Sequence, residues 1–208
     1  MEHLVVDPVA PDQGLIRRAA SVILAGGVVA YPTDTLYGLA VDPRNTLAVQ
    51  RLFAAKERTA GQAIPLIAAD LLQVEREAGR LTDLARRLAS KFWPGPLTLV
   101  IAASAGISPS VHSGSGMIAV RVPDHGVARN LAAQCGCAIT STSANLSGRR
   151  APRTADEIVQ PLRDRIDVLL DAGATPGGLP STIVDASGSV PVLVREGVVP
   201  WARVLECV

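Results

Sequence analysis

The amino-acid sequence predicts a layered α/β domain built around a mixed sheet. Short apolar runs of strand length alternate with longer segments whose apolar residues follow helical spacing, a pattern typical of α/β folds. The chain has 208 residues, 48% of them hydrophobic, which is enough for one domain with a sizeable core. Several strand-like runs follow one another toward the C-terminus, which favours a mixed rather than a purely parallel sheet. Because no repeat or linker divides the chain, we expect residues 1–208 to form a single domain.

Local signals place the individual elements. Gly26 and Gly27 end a first helix, Asn45 can cap a second, and Thr154 and Glu157 stand at capping-box spacing. Helices are expected over residues 15–25, 45–57, 81–92, 124–134 and 154–160. Strands are expected over residues 28–31, 64–68, 97–102, 118–122, 138–140, 166–170, 182–184 and 191–194.

Composition narrows the function classes. The net charge of +1 argues against a strongly basic nucleic-acid binder, although a local basic groove remains open. Cys135, Cys137 and Cys207 lack zinc-site spacing, and reduced thiols in a cytosolic protein are the simpler interpretation. The N-terminus does not resemble a signal peptide, and no apolar stretch reaches the roughly 18 residues of a membrane span. We therefore expect a cytoplasmic protein without a metal site.

Two hydroxyl-rich segments are candidates for ligand binding. Residues 31–38 contain Thr33 and Thr35 and follow an apolar strand, the position at which α/β sheets bind ligands. Residues 141–148 follow another short strand, and five of the eight carry hydroxyl or amide side chains, among them Ser141, Ser143 and Asn145. Turns with local side-chain caps are the alternative explanation for both segments.

Four cationic residues stand where an anion could bind. Lys56 extends the buried face of the second helix, so it must reach solvent or meet an anion, and Arg58 follows just past the helix end. Arg121 and Arg195 each end an apolar strand and could offer a bidentate fork to a carboxylate or phosphate. Complementing a helix dipole and forming strand-end salt bridges are the alternatives. Ser181 follows a Gly-rich loop, where its hydroxyl could donate to a ligand; an ordinary turn serine is the alternative.

Together these segments resemble the YrdC-like family of threonylcarbamoyl-AMP synthases. Seven motifs occur in the family's order and cover most of residues 15–197. They are YPTDTLYGL at 31–39, KER at 56–58, WPGPLTL at 93–99, RVPDH at 121–125, SANLSG at 143–148, STIVD at 181–185, and Arg195.

The resemblance implies a YrdC-like open α/β fold with a twisted mixed sheet and a large concave groove. It also implies a nucleotidyltransferase that makes threonylcarbamoyl-AMP and pyrophosphate from L-threonine, bicarbonate or CO2, and ATP, with Mg2+ bridging the phosphates. The product would pass to a separate transferase complex that modifies tRNA. Weak binding of tRNA or other RNA by the chain itself is a further expectation.

The resemblance also assigns roles to residues. Thr33, Thr35, Arg121, Ser141 and Ser181 are expected on the L-threonine side. Lys56, Arg58, Ser143, Asn145 and Arg195 are expected on the ATP side, with Lys56, Arg58 and Ser143 closest to the chemistry. This chemistry needs no covalent nucleophile, so catalysis would rest on positioning and electrostatic stabilisation.

Two departures from the family pattern bear on the threonine side. The link over residues 59–64 is longer than in many members, and Ala69 stands where some members have a histidine. The chain ends at Val208, so it resembles the single-domain type. A paralogue with another substrate or an RNA-binding role is the main alternative function. A carbamoyl-adenylating domain of hydrogenase maturation enzymes is a weaker one, because zinc-finger cysteines are missing.

Overall fold

The computed structural model describes residues 1–59, 61–78 and 80–208. The strands are β1 (Glu2–Val5), β2 (Val29–Tyr31), β3 (Gly38–Ala40), β4 (Leu66–Ile67), β5 (Leu97–Ala102), β6 (Met117–Arg121), β7 (Ile139–Thr140), β8 (Thr142–Ser143), β9 (Val168–Asp171), β10 (Thr182–Asp185) and β11 (Val192–Arg195). The helices are α1 (Gln13–Leu24), α2 (Thr46–Ala55), α3 (Leu71–Ala78), α4 (Asp83–Phe92), α5 (Pro109–His112), α6 (Gly126–Cys135), α7 (Asp156–Leu162) and α8 (Trp201–Leu205).

The strands form two mixed sheets. The five-stranded sheet has the order β1-β9-β2-β3-β8, and the six-stranded sheet has the order β11-β10-β5-β6-β4-β7. In the first, β9 is parallel to β1 and β2, whereas β3 is antiparallel to both of its neighbours. In the second, β5 is parallel to β10 but antiparallel to β6. The expected mixed α/β class is confirmed, with the strands divided between two sheets.

Two helix starts were predicted from capping residues, and one of them is confirmed. The Asn45 side chain accepts the Ala48 N–H at 3.1 Å, as expected for the cap of α2. The expected capping box at Thr154 and Glu157 is wrong, because α7 begins only at Asp156 and has no side-chain cap. Glu157 instead accepts the main-chain N–H of Arg153 at 2.6 Å, one residue further back than a capping box requires.

The elements that were not expected are mostly short or lack an apolar pattern. They are β1, β3, β8, α3, α5 and α8. The two residues of β8 are Thr142 and Ser143, which carry no hydrophobic signal and become a strand because β3 pairs with them. Such pairing depends on tertiary contact rather than on local propensity.

Two apolar clusters cover opposite faces of the five-stranded sheet. In β2, Val29 belongs to the smaller cluster and its neighbour Ala30 to the larger, because successive strand side chains point to opposite faces. Helices α1 and α6 pack together in the smaller cluster, whereas α2 and α4 contribute to the larger. None of the helices in the described part of the chain is long and apolar enough to cross a membrane.

The chain passes from one sheet to the other at Ser141. Strand β7 of the six-stranded sheet ends at Thr140, and β8 of the five-stranded sheet begins at Thr142. The Ser141 N–H donates to the Pro65 carbonyl at 2.7 Å. The fully buried hydroxyl of Thr140 donates to the Leu39 carbonyl at 3.2 Å and accepts the Val41 N–H at 2.9 Å. The crossing is therefore anchored to strands on both sides.

Candidate active site

A cavity of about 670 Å³, hereafter the central cavity, is lined by residues from both sheets. It contains eight of the ten residues that the sequence predicts for the site: Thr33, Thr35, Arg58, Arg121, Ser141, Ser143, Ser181 and Arg195. The other two, Lys56 and Asn145, line a smaller adjoining cavity of about 320 Å³ together with Arg58 and Ser143. The fold thus brings all ten predicted residues to one continuous region.

The turn between β2 and β3 is organised by the Thr33 hydroxyl. It donates to the Leu36 carbonyl at 2.7 Å and accepts the N–H groups of Thr35 and Leu36, each at 3.2 Å. The Thr35 hydroxyl lies 3.1 Å from it. Thr33 therefore serves the turn itself, as the simpler interpretation of this segment expects, and Thr35 is the better placed of the two to meet a ligand.

The Arg121 side chain, at the end of β6, is fixed by residues of the turn between β2 and β3. Its Nη1 contacts Asp34 Oδ1 at 2.5 Å, and its Nη2 lies 3.3 Å from the Thr33 hydroxyl and 3.2 Å from the Thr35 hydroxyl. Only 7% of the Arg121 side chain and 11% of the Asp34 side chain are exposed. The strand-end salt bridge considered from sequence is present, and Arg121 also lines the central cavity.

A second group of side chains lies on or next to the neighbouring strands β5, β10 and β11 of the six-stranded sheet. The Thr98 hydroxyl donates to the Ser181 hydroxyl at 2.8 Å, and Arg195 Nη2 donates to the Ser181 carbonyl at 2.7 Å. Partial burial, and secondarily the charge of Arg121, lower the pKa of Arg195. Thr98 was not among the predicted site residues, although it lies in the WPGPLTL motif that carried the family resemblance.

Lys56 is buried, and it bonds to the main chain. Its Nζ donates to the carbonyl of Asn145 at 2.7 Å and to that of Ser143. The Lys56 carbonyl in turn accepts the Ser147 N–H at 2.8 Å. Burial, followed by the repulsion of Arg58, lowers the pKa of Lys56 to about 8. The lysine on the buried face of α2 thus meets carbonyl oxygens of the 141–148 segment.

Arg58 connects α2 to the rim of the central cavity. Its guanidinium donates to Gln62 Oε1 at 2.9 Å, to the Ala63 carbonyl at 3.2 Å and to the Thr142 hydroxyl at 3.3 Å. These bonds fold the 59–64 link back toward the site; Ala60 of this link lies outside the described residues. The guanidinium also lies over the Phe53 ring, 5.8 Å from its centroid.

Asn145 stabilises the end of the 141–148 segment. Its Nδ2 donates to the carbonyls of Leu146 at 2.9 Å and Arg149 at 2.5 Å. Its Oδ1 is buried, and no described residue donates to it. A buried amide oxygen without a donor is costly, so this atom is a candidate to accept a hydrogen bond from a ligand or water.

The Gly-rich loop over residues 173–180 closes against the first hydroxyl-rich segment. Gly177 donates its N–H to the Thr35 carbonyl at 2.8 Å. It has a positive φ of 71°, and a Cβ there would lie 2.2 Å from Arg153 Nε. Glycine is therefore required for the loop to approach both Thr35 and the guanidinium of Arg153.

The central cavity is strongly cationic. Five arginines line it, namely Arg58, Arg121, Arg150, Arg153 and Arg195, and its described lining residues include no carboxylate. Arg150 and Arg153 were not predicted, because arginines scattered in the polar stretch after the SANLSG motif are typical of an ordinary solvated loop. A concave site with several guanidinium groups and hydroxyls suits a ligand with carboxylate and phosphate groups.

Ala69 does not line the central cavity; Ala63, Pro65 and Leu66 cover that side. The Ala69 N–H instead donates to the buried Gln73 Oε1 at 2.7 Å. The described residues also include no group of three or more His, Cys, Asp or Glu side chains that could hold a metal.

Comparison with known proteins agrees with the fold and the motifs. Residues 21–197 match the Sua5/YciO/YrdC family, which carries the description "Telomere recombination". The chain is 36% identical over 194 residues to threonylcarbamoyl-AMP synthase of Bacillus subtilis (strain 168), covering 93% of this chain and 56% of that protein. It is 38% identical over 170 residues to the synthase of Idiomarina loihiensis, covering 81% and 91%. The chain thus spans about half the length of the first relative and most of the second.

Two solved structures superpose closely. The crystal structure of Pyrococcus abyssi Sua5 complexed with L-threonine has a TM-score of 0.94 and 34% identity, covering 100% of this chain and 61% of that one. The crystal structure of Escherichia coli YciO has a TM-score of 0.86 and 28% identity, covering 96% and 98%. The chain therefore belongs to the Sua5/YciO/YrdC family.

Proposed function

We propose that the chain is a threonylcarbamoyl-AMP synthase, a nucleotidyltransferase that forms threonylcarbamoyl-AMP and pyrophosphate from L-threonine, bicarbonate or CO2, and ATP. The observation that carries the proposal is the central cavity, in which five arginines stand among hydroxyl groups without a described carboxylate. Such a site complements an amino-acid carboxylate and a triphosphate at the same time. The names of the relatives and the L-threonine bound to the similar Pyrococcus abyssi protein support this assignment.

The threonine side would be formed by Arg121, Thr35, Ser141 and Ser181. Arg121 offers a guanidinium fixed in one orientation, which suits a carboxylate. The Thr35 hydroxyl lies beside that fork. Ser181, the residue just before β10, contributes a second hydroxyl. Thr33 would act through the turn that it holds rather than by direct contact.

The ATP side would be formed by Arg58, Ser143 and Arg195. Lys56 and Asn145 would support them in two ways: by holding the main chain of the 141–148 segment, and by contributing a charge and an amide oxygen at the adjoining cavity. Mg2+ would enter as part of the Mg-ATP substrate, since the described residues offer no carboxylate cluster for it.

The reaction needs placement more than reactive side chains. The threonine nitrogen adds to CO2 and loses a proton to give a carbamate, whose oxygen attacks the α-phosphate while pyrophosphate leaves. Arginines around the phosphates would stabilise the charge that develops on the transferred group, and two bound substrates would react as one complex. The product would then pass to a tRNA-modifying transferase complex, with tRNA itself bound weakly or not at all.

Pyrophosphate release tests the assignment directly. The protein is incubated with ATP, Mg2+ and bicarbonate, with and without L-threonine, and L-serine and L-alanine serve as matched amino acids. Pyrophosphate that depends on L-threonine and bicarbonate supports the proposal. Release that depends on another amino acid would identify a paralogue with a different substrate, and release with no amino-acid dependence would contradict a synthase.

A further inference from the structure

We propose that Asp34 is a positioning residue for the amino-acid substrate, acting through Arg121. This inference rests on the proposed function, because it assigns the residue that orients the expected carboxylate-binding group. Asp34 is not among the residues that line the central cavity, whereas Arg121 is. Asp34 is therefore expected to influence the position of a ligand through the arginine rather than by direct contact.

Asp34 joins two elements that belong to different sheets. One carboxylate oxygen pairs with Arg121 Nη1 at the end of β6, and the other accepts the Asp124 N–H at 3.2 Å, just before α6. Asp34 itself lies in the turn between β2 and β3 of the five-stranded sheet. Its side chain thus fixes the distance between the Thr33–Thr35 turn and the end of β6.

The contacts immobilise the guanidinium without using all of its donors. Asp34 holds Nη1, and the Thr33 and Thr35 hydroxyls lie beside Nη2. A guanidinium has five N–H donors, so the remaining ones can be presented to a ligand in a fixed direction. A carboxylate ligand then meets a preorganised fork and loses less entropy on binding.

The Asp34 carboxylate orients Arg121, but it could also repel a carboxylate ligand that binds the same guanidinium. The charges near Arg121 and the position of Asp34 bear on which effect is larger. Arg195 lies close enough to Arg121 for the two charges to interact. Arg121 and Arg195 together outweigh the single charge of Asp34, so the region keeps a net positive charge. The region therefore still attracts a carboxylate. Because Asp34 does not line the cavity whereas Arg121 does, we expect the orienting effect of Asp34 to exceed its repulsion of the substrate.

The test compares Asp34→Asn with Asp42→Asn. Asp42 is a matched control, because its side chain is 12% exposed against 11% for Asp34 and also pairs with an arginine, Arg44, through bonds of 2.9 Å and 2.8 Å. Neither Asp42 nor Arg44 lines the cavity. Both variants are expected to melt at a lower temperature than the wild type. Only Asp34→Asn should raise the KM for L-threonine, by about tenfold, with the KM for ATP unchanged, as for the loss of one charge-assisted hydrogen bond.

L-Threoninamide, which lacks the carboxylate, separates positioning from general destabilisation. The wild type and Asp42→Asn should discriminate strongly against it, and Asp34→Asn should lose about tenfold of that discrimination, since the oriented fork has been disturbed. An unchanged or lower KM for L-threonine in Asp34→Asn, with the wild type active, overturns the role of Asp34 and leaves the proposed function intact. A wild type without threonine-dependent pyrophosphate release overturns both.

Asp34→Glu keeps the inference testable if Asp34→Asn does not fold. The glutamate retains the charge that Arg121 needs but moves the carboxylate by one carbon–carbon bond. A folded Asp34→Glu with a raised KM for L-threonine and an unchanged KM for ATP supports positioning. Wild-type kinetics in this variant overturn it.

Discussion

The ammonium group of Lys56 donates a hydrogen bond of 2.7 Å to the main-chain carbonyl of Asn145. A second bond reaches the carbonyl of Ser143, and the Ser147 N–H returns to the Lys56 carbonyl at 2.8 Å. The lysine therefore fastens the polar 141–148 segment to the end of α2 while keeping a positive charge beside it. The contacts show structural support by this side chain, and the proposed phosphate binding would use its charge.

Replacing Lys56 by methionine should weaken ATP binding by at least about tenfold, because a buried charge and the anchor of the 141–148 segment are lost together. The melting temperature should also fall. Isothermal titration with ATP measures the affinity, and thermal unfolding measures the stability. Lys91→Met, at an exposed position of α4, should change neither. Wild-type ATP affinity in a folded Lys56→Met protein would assign the lysine to structure alone.

ATP binding should depend on pH through the same lysine. Because the pKa of Lys56 is about 8, its charge is lost as pH rises through that value. ATP affinity in the wild type should therefore fall by up to about tenfold between pH 7 and pH 9. The affinity of Lys56→Met should stay flat over this range. An equal slope in both proteins would place the titrating group elsewhere.

The stability change has the opposite sign. The folded lysine has a pKa below its usual value of 10.5, so the unfolded chain binds more protons between about pH 8 and pH 10.5. This residue's contribution to the free energy of unfolding consequently rises with pH in that window. Urea titrations of the wild type and Lys56→Met at several pH values measure the difference.

The sequence predicted which side chains gather at the two cavities better than it predicted the short strands. Capping at Asn45 and the apolar run of β5 were predicted from local signals, and the structure confirms both. Strand β8 was not predicted, because a Thr-Ser pair becomes a strand only when β3 lies beside it. The assignment of strands to two sheets likewise depends on long-range pairing, which no local pattern encodes.

Within the site, the chemical type of each residue was predictable but its partner was not. The sequence indicated that Lys56 extends a buried face, yet it could not show that main-chain carbonyls would meet the ammonium group. It indicated a fork at Arg121, yet the ion pair with Asp34 depends on the approach of two distant strands. Arg150 carried no signal, because exposed arginines in loops are common.

Removing Arg150 should lower activity without lowering stability. The residue is exposed but lines the central cavity, so Arg150→Ala should raise the KM for ATP several-fold while the free energy of unfolding stays within about 0.5 kcal/mol of the wild type. Arg163→Ala, an exposed arginine outside the cavity lining, is the control. If the two variants behave alike in steady-state kinetics, Arg150 takes no part in binding.

Thr182 should make one of the larger hydroxyl contributions to stability. Its fully buried hydroxyl donates to the Val199 carbonyl at 2.6 Å and accepts the N–H groups of Gly197 and Val199 at 2.8 Å and 3.1 Å. Thr182→Val keeps the shape but leaves these groups unpaired, at a cost of about 1–3 kcal/mol in urea-induced unfolding.

Thr175→Val is the comparison for Thr182→Val. Thr175 is also buried, but its hydroxyl makes one bond of 3.3 Å, to a carbonyl of Arg153 that already accepts the Thr175 N–H at 2.9 Å. The Arg153 carbonyl therefore keeps a partner in this variant, and the loss should be clearly smaller. Equal losses in the two variants would show that removal of any buried hydroxyl explains the effect.

The crossing of the chain at Ser141 makes the central cavity an internal interface. Gly38 and Ser143 come from strands of one sheet, whereas Thr98, Arg121 and Arg195 come from strands of the other. The width of the central cavity consequently depends on how closely the two sheets pack together. Because closely packed interiors transmit changes in volume, we expect the removal of a buried methyl group beneath the cavity to alter substrate affinity without any change in the residues that touch the ligand.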